Sequence, residues 1–502
     1  VQEDLIEELG YTEAQAANAV YSGGLRIYST QDTEIQKIME EEFENEENYP
    51  GYIRFGLDWA LTVDHEDGSR ENYDQETLRN YFRERDAGFS GIFETKEEAQ
   101  RYLDEYKAAI VGAEDSIIAE RTNFVPQPQA AMTVIEQSTG YVRGIIGGRG
   151  EKTASLTLNR ASDTYRQPGS TFKILSAYGP ALEEGEITLA THIEDEEYFY
   201  EDGTPLRNAD NQYHGSVSVR NAIRNSYNIP AVKVLTDLTP KKGFEYLQKL
   251  GFTKLDKKED VIQPLALGGI TNGVSNLELT AAYAAIANGG TYMEPVLYTE
   301  VTDQDGNVLL HNDPQGERVF KESTAFLLTS TMEDVVSEGT GTGFQLNNMH
   351  VAGKTGTAND YRDLTFVGYT PYYTAAIWAG YDVPEDLPES HRTFHRTLWK
   401  NVMNRIHEEL PDKEFDQPST VEKKAICASS GLLAGTGCTR VYEYFDQDNM
   451  PEKTCTAHRP STAPKTDKGN SSGNSNGNST KKKAYANWWE YYWDQIWNKD
   501  ED

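Results

Sequence analysis

Between Pro126 and about residue 415 the chain changes texture in a way that leaves few folds open. AAMTVIEQSTGYVRGIIGG, at the start of this stretch, reads as two strands joined at Ser138-Thr139-Gly140, a hairpin pattern. HVAGKTGTA, LTFVGYT and YYTAAIWAGYD, near its end, read as three more strands. STFKILSAYGPALEEG, SVRNAIRNS and NLELTAAYAAIANGG, in between, read as helices. Strands at both ends with helices between them predict one α+β or α/β domain, residues 127–415, with an antiparallel sheet and a helical subdomain.

The flanks divide further. TEAQAANAVYSGG reads as a helix capped by Thr12 and stopped by Gly23-Gly24. LRIYST follows as a strand, and Asp32 caps an acidic helix through about Phe43, so residues 1–45 are expected to form a linker. Residues 46–126 read as a small α+β module. In it YIRFGLDWALTVDHEDGSREN is a hairpin turning at Asp67-Gly68, and KEEAQRYLDEYKAAIVGAEDSIIAER is helical throughout. Residues 416–463 form a C-terminal extension holding all three cysteines, Cys427, Cys438 and Cys455. The clustering allows one disulfide with a thiol left over, or three separate thiols. No zinc-type His/Cys spacing surrounds them, and Cys455 with His458 alone does not make a site. Residues 464–502 are expected to be disordered, ending in the aromatic segment NWWEYYWDQIW. That segment suits stacking on sugars, docking a partner or lying at a membrane interface, and equally a short helix packing on its own protein.

Composition narrows the function. A chain of 502 residues suits two or three domains, and its 37% hydrophobic share can fill a sizeable core. Mean hydropathy is -0.67, and no run approaches the roughly 18 apolar residues of a membrane span. A net charge of -34 repels phosphate and argues against nucleic acid as a partner. The chain opens on Val1 without a signal peptide, which predicts a fragment of something longer.

Three short motifs carry chemistry. In RQPGSTFK, Ser170 and Lys173 stand three apart at the start of a helix, which puts an amine beside a hydroxyl. The positive helix end favours negative charge developing there. For Lys173 to act as a base, burial or a nearby cation must strip its proton. Ser-x-x-Lys by itself is weak, since Ser479 and Lys482 repeat it in the tail. In RNSYNIPAV, an extended loop would aim both Ser226 and Asn228 into one cleft, Ser226 to relay a proton and Asn228 to donate to a substrate carbonyl. In HVAGKTGTAND, a strand would put Thr355 and Thr357 on one side and Lys354 on the other. Gly356 would let a peptide lie against the strand edge. Two hydroxyls and an ammonium suit a carboxylate, and the backbone N–H groups of Ser170 and Thr357 suit an oxyanion hole.

Ser-x-x-Lys, Ser-x-Asn and Lys-Thr-Gly in this order mark serine β-lactamases and penicillin-binding proteins. The chain resembles the transpeptidase region of class A, bifunctional penicillin-binding proteins over about residues 12–460. SGGLRIYSTQD is similar to that family's linker, and NRASDTYRQPGSTFK to its nucleophile region. DGTPLRNADNQYHGSVSVRNAIRNSYNIPAVKV, LALGGITNGVSNLELTAAYAAIANGG and TFVGYTPYYTAAIWAGYD continue the likeness, and ICASSGLLAGTGCTR and PEKTCTAH are similar to its C-terminal extension. Leu364-Thr365 depart from it, because the family usually has an aromatic just before Phe366.

The resemblance implies a penicillin-binding transpeptidase fold and a substrate, a peptidoglycan stem peptide ending in D-Ala-D-Ala. By position it implies Ser170 as nucleophile, Lys173 as base, Ser226 as proton relay and Lys354 as electrostatic partner. It further implies Asn228 as peptide aligner, with Thr355, Gly356 and Thr357 in the substrate site. No metal or cofactor is expected, and β-lactams should acylate Ser170. The resemblance also implies a glycosyltransferase domain and membrane anchor upstream of Val1, a place on the outer face of the bacterial cytoplasmic membrane, and cell-wall, divisome or elongasome partners. A β-lactamase needs a base for its deacylating water. In one class that is the glutamate of E-x-x-L-N, and at the only Leu-Asn pair between Ser226 and Lys354, Leu346-Asn347, the glutamate position is Gly343. A D,D-carboxypeptidase, and a sensor without turnover, share the motifs and remain as alternatives.

Overall fold

A computed structural model describes residues 1–152, 157–358 and 361–458. Residues 1–458 form one compact unit. The expectations for the tail at 464–502 lie outside the described residues.

The predicted sheet has five antiparallel strands, ordered Ala352–Thr357, Asp363–Tyr369, Thr374–Gly380, Gln129–Glu136, Tyr141–Ile146. Its middle strands are buried along their whole length, so helices must cover both faces. On one face, Val367, Tyr369 and Ala376 pack with the nucleophile segment and with helices Asn276–Ala287 and Glu322–Ser337. On the other, Phe366, Ile377, Met132 and Val134 pack with helices Thr33–Glu44 and Phe394–Ile406. Ala352–Thr357 is an edge strand, which leaves one side of its backbone open for pairing.

Residues 1–45 do more than link. Thr12 caps helix Glu13–Ser22 reciprocally with Gln15, and the Asp32 carboxylate accepts from the Glu34 and Ile35 amides at 2.9 and 3.1 Å. Ile35, Ile38, Met39 and Phe43 recur at helical spacing and are buried against the main sheet. Strand Arg26–Ser29 pairs antiparallel with Tyr298–Thr302. Helix Thr33–Glu44 of the expected linker is thus part of the core on the main sheet, while Leu5 and Ala16 pack in a separate cluster with Tyr298, Val301 and Leu310.

The module keeps its own core of Trp59, Leu61, Val63, Leu78, Phe82, Leu103 and Tyr106. One expectation there fails. The helix ends at Ile110, and Ser116–Gln127 is a strand pairing along the whole of Arg54–Asp64. Asp115 ends the helical run by accepting from the Gly112 amide at 2.7 Å, and SIIAER then offers β-branched residues to a waiting partner strand.

In the C-terminal extension, Val421–Cys427 and Arg440–Asp446 form a two-stranded sheet. No helix among the described residues is long and apolar enough to cross a membrane.

Candidate active site

The nucleophile segment is a chain of tight turns. Gly169–Thr171 is a 3-10 turn, Lys173–Tyr178 is π-helical and Gly179–Glu183 is α-helical. Ser170 thus lies in the 3-10 turn and Lys173 opens the π-helical stretch, rather than both standing on the one α-helix expected. Gly169 has φ +57°, and a Cβ there would meet Thr357 O at 2.6 Å. Thr171 Oγ1 donates to Pro168 O at 2.8 Å, and the buried Tyr283 hydroxyl donates to Thr171 O at 2.7 Å. Upstream, Arg166 Nε donates to Asp363 Oδ1 at 2.7 Å, which ties the turn to the sheet.

Ser226 is held differently from the extended loop expected for it. It has φ +57° directly after helix Val219–Arg224. Its amide donates to Ile223 O, and the Tyr227 amide donates to Ala222 O. This is a Schellman helix ending with serine in the left-handed position that usually takes glycine. The next helix starts at Asn228, so the reversal itself turns Ser226 and Asn228 toward one point.

That point is Lys173 Nζ. It donates to Ser226 O at 2.6 Å and Asn228 Oδ1 at 2.7 Å, and lies 3.3 Å from Ser226 Oγ. Lys354 Nζ donates to the same Ser226 Oγ at 2.8 Å and to Thr355 O at 3.0 Å. Both lysines are fully buried. Burial, and then the Lys354 charge, hold the Lys173 amine well below the usual lysine range. Burial brings Lys354 down to about 7. Two ammonium groups sharing one hydroxyl in a dry site are unfavourable, which disfavours charge on Lys173 beside Lys354. A neutral amine has two N–H donors, and Ser226 O and Asn228 Oδ1 are placed to take both. Its lone pair would then be left over.

Lys354 and Gly356 share the sheet face that packs on the nucleophile turn. A Cβ at Gly356 would meet Pro168 O at 2.4 Å, so this glycine first of all clears the nucleophile turn. The Ala358 amide bonds to Asp363 O across the sheet. Antiparallel strands alternate, so the Thr357 amide points off the open edge, as an oxyanion donor must. Thr355 Oγ1 lies 2.9 Å from Thr340 Oγ1. Leu364 and Thr365, the departures, are both buried in the sheet.

The sequence reading missed the support behind Ser226. Asn208 Oδ1 accepts from the Asn228 amide at 2.8 Å, while its Nδ2 donates to both Asp195 oxygens at 2.9 and 2.8 Å. His214 bonds to Asp195 at 2.7 Å and stacks on Tyr227 with ring centres 4.0 Å apart. DGTPLRNADNQYHG carries no motif that singles these residues out, because they act through other residues.

A second group also differs from expectation. Cys427, Cys438, Cys455 and His458 converge, with their ligand atoms all within 4.8 Å of one another, and none of the cysteines is bridged. Cys455 and His458, set aside as a pair, are two members of a set of four.

Residues 130–404, more than half of the chain, match the penicillin binding protein transpeptidase domain. The chain belongs to the penicillin-binding transpeptidase family. Residues 417–460 match the C-terminal domain of penicillin-binding protein 1A. Penicillin-binding protein 1A of Clostridium tetani is 30% identical over 484 residues, covering 91% of this chain and 52% of that protein. Penicillin-binding protein 4 of Bacillus subtilis is 31% identical over 382 residues, covering 74% of this chain and 59% of that protein. The chain thus spans about half the length of these relatives. The crystal structure of penicillin-binding protein 1A from Haemophilus influenzae shares the fold with a TM-score of 0.64 at 18% identity, covering 90% of this chain and 76% of that one. The PonA1 protein of Mycobacterium tuberculosis in complex with penicillin V follows at 0.59 and 18%, covering 84% and 94%. In this transpeptidase domain the three motifs, far apart in sequence, meet at Ser226 Oγ and Lys173 Nζ.

Proposed function

We propose that the chain is the cross-linking part of a cell-wall synthase acting on peptidoglycan stem peptides that end in D-Ala-D-Ala. The observation that carries this is the buried Lys173 amine, with two fixed acceptors on its N–H groups and the Ser226 hydroxyl beside it.

Ser170 Oγ attacks the carbonyl carbon of the penultimate D-Ala and gives its proton to the Lys173 lone pair. The Ser170 and Thr357 amides receive the oxyanion. The peptide C–N bond breaks, and Ser226 passes a proton to the departing D-Ala amine, leaving an ester on Ser170. An amine of a second stem peptide attacks that ester, forms the new amide and returns the proton to Ser170. Thr355 and Thr357 hold the terminal carboxylate, Lys354 tunes the Lys173–Ser226 pair electrostatically, and Asn228 aligns the peptide. A β-lactam acylates the same serine, but its leaving amine stays tethered by the opened ring. The substrate places the reaction outside the cytoplasmic membrane, and a glycosyltransferase domain is the expected companion in the full-length protein.

Intact mass after incubation with penicillin tests this. The chain should gain one penicillin and the Ser170→Ala variant none. Hydrolysed penicillin without an adduct would instead indicate a β-lactamase, and intact penicillin without an adduct a closed or inert site.

The lysines also set a pH dependence. Acylation needs Lys173 neutral and Lys354 charged. Lys354 loses its charge as pH rises through about 7, so the second-order acylation rate should fall above that pH. On the acid side it should fall as Lys173 takes up a proton. Lys354→Arg, which keeps its charge, should lose the alkaline limb. A rate that climbs through pH 7 would contradict the assignment.

A further inference from the structure

We propose that Cys427, Cys438, Cys455 and His458 form a structural zinc site. The first observation is geometric. His458 Nδ1 lies 3.5 Å from Cys427 Sγ, 3.6 Å from Cys438 Sγ and 3.5 Å from Cys455 Sγ. One ring nitrogen has at most one proton to donate, so three equal sulfur contacts do not describe a hydrogen bond. They describe a coordination shell. With Zn–S near 2.3 Å and Zn–N near 2.0–2.1 Å, the N···S edge of a tetrahedron is about 3.5 Å.

The second observation is where the ligands sit. They are spaced C-x10-C-x16-C-x2-H, too wide for a zinc pattern to be read from the chain. The fold closes the gaps. Cys427 and Cys438 flank the connection between the two strands of the hairpin, whose Leu433 bridges to both Ile426 and Thr454. The Cys427 amide donates to Leu432 O and the Cys455 amide to Leu433 O, which brings the third segment alongside. Cys427 and Cys455 are buried, while Cys438 and His458 are partly exposed. Four protein ligands with no open position mark a structural site rather than a catalytic one.

The third observation is need. Ile426 and Phe445 of the hairpin pack in a small cluster with Ala190, and Met450 lies against it. Val421 and Glu443 tie the hairpin to the main domain, but Cys427 and Arg440 pair at its opposite end, where a small element gains from a staple. Binding would release the three thiol protons to solvent and leave His458 neutral, with Zn²⁺ held by three thiolates and one imidazole.

Metal analysis of the whole chain, purified with a reductant, incubated with Zn²⁺ and dialysed, tests the site. The expected result is about one zinc per chain, falling at least tenfold in Cys438→Ser and in His458→Gln. Should these variants fail to fold, Co²⁺ loaded into the unaltered chain supplies the readout, with thiolate-to-cobalt charge transfer and intense tetrahedral visible bands expected. Less than a tenth of a zinc per chain in the unaltered protein, or cobalt spectra of an octahedral ion, would overturn the proposal. So would a mass two hydrogens lower without reductant, with zinc absent, since that would show a disulfide. None of these readouts depends on acylation, so the zinc site and the proposed activity stand or fall separately.

Discussion

Lys173→Arg is expected to slow acylation by penicillin about 10³-fold, within the 10²–10⁴-fold range of general base catalysis. Arginine preserves a long cationic side chain but cannot give up its proton, so the lone pair proposed to accept the Ser170 proton disappears. It is also too bulky for a fully buried site, so Lys173→Met is the cleaner companion. Methionine removes the base at similar volume. It leaves Ser226 O and Asn228 Oδ1 without the amine that now serves them, a cost of about 1–3 kcal/mol each, offset in part because no amine has to be desolvated. Stopped-flow acylation beside urea unfolding separates the two effects. If Lys173→Met acylates within tenfold of the unaltered chain, another group is the base.

Arg220→Ala should cost about 3–5 kcal/mol of stability, the usual loss when one partner of a buried ion pair is removed. The guanidinium grips Glu443 with two bonds, Nε to Oε2 at 2.8 Å and Nη2 to Oε1 at 2.7 Å. It also donates to Asp334 Oδ2 at 2.6 Å and to Ser330 O and Oγ at 3.2 and 3.1 Å. Glu443 is only 6% exposed, so it would be left as a buried charge with no guanidinium. These bonds join the C-terminal hairpin to the helix that ends in the Ser226 turn. Urea unfolding of Arg220→Ala measures the loss. A change under about 1 kcal/mol would show that the network is solvated and contributes little.

Local chemistry was legible wherever it acts over a few residues. Thr12 and Asp32 announce their helices because a cap bonds amides two or three positions on. The five sheet strands were legible from their apolar runs. SIIAER was not, because its strand character depends on Arg54–Asp64, more than fifty residues earlier, offering a full-length partner. The Ser226 turn was misread because serine occupies a left-handed position where glycine would have signalled the helix end.

By itself the sequence determined which groups are the candidates for chemistry: a serine with a lysine three residues on, a serine and asparagine two apart, and a lysine beside two threonines. Residue type and short spacing carry that information. Only the tertiary structure decided how those groups meet and which way burial shifts them. The Lys173 amine is held below the usual lysine range because the fold buries it beside a second buried lysine, and one helix reversal supplies its acceptors, Ser226 O and Asn228 Oδ1. The same holds for the four ligands at the C-terminal end, which are scattered along the chain and meet only when the hairpin folds. Burial and convergence depend on contacts between distant segments, and no short window of residues contains them.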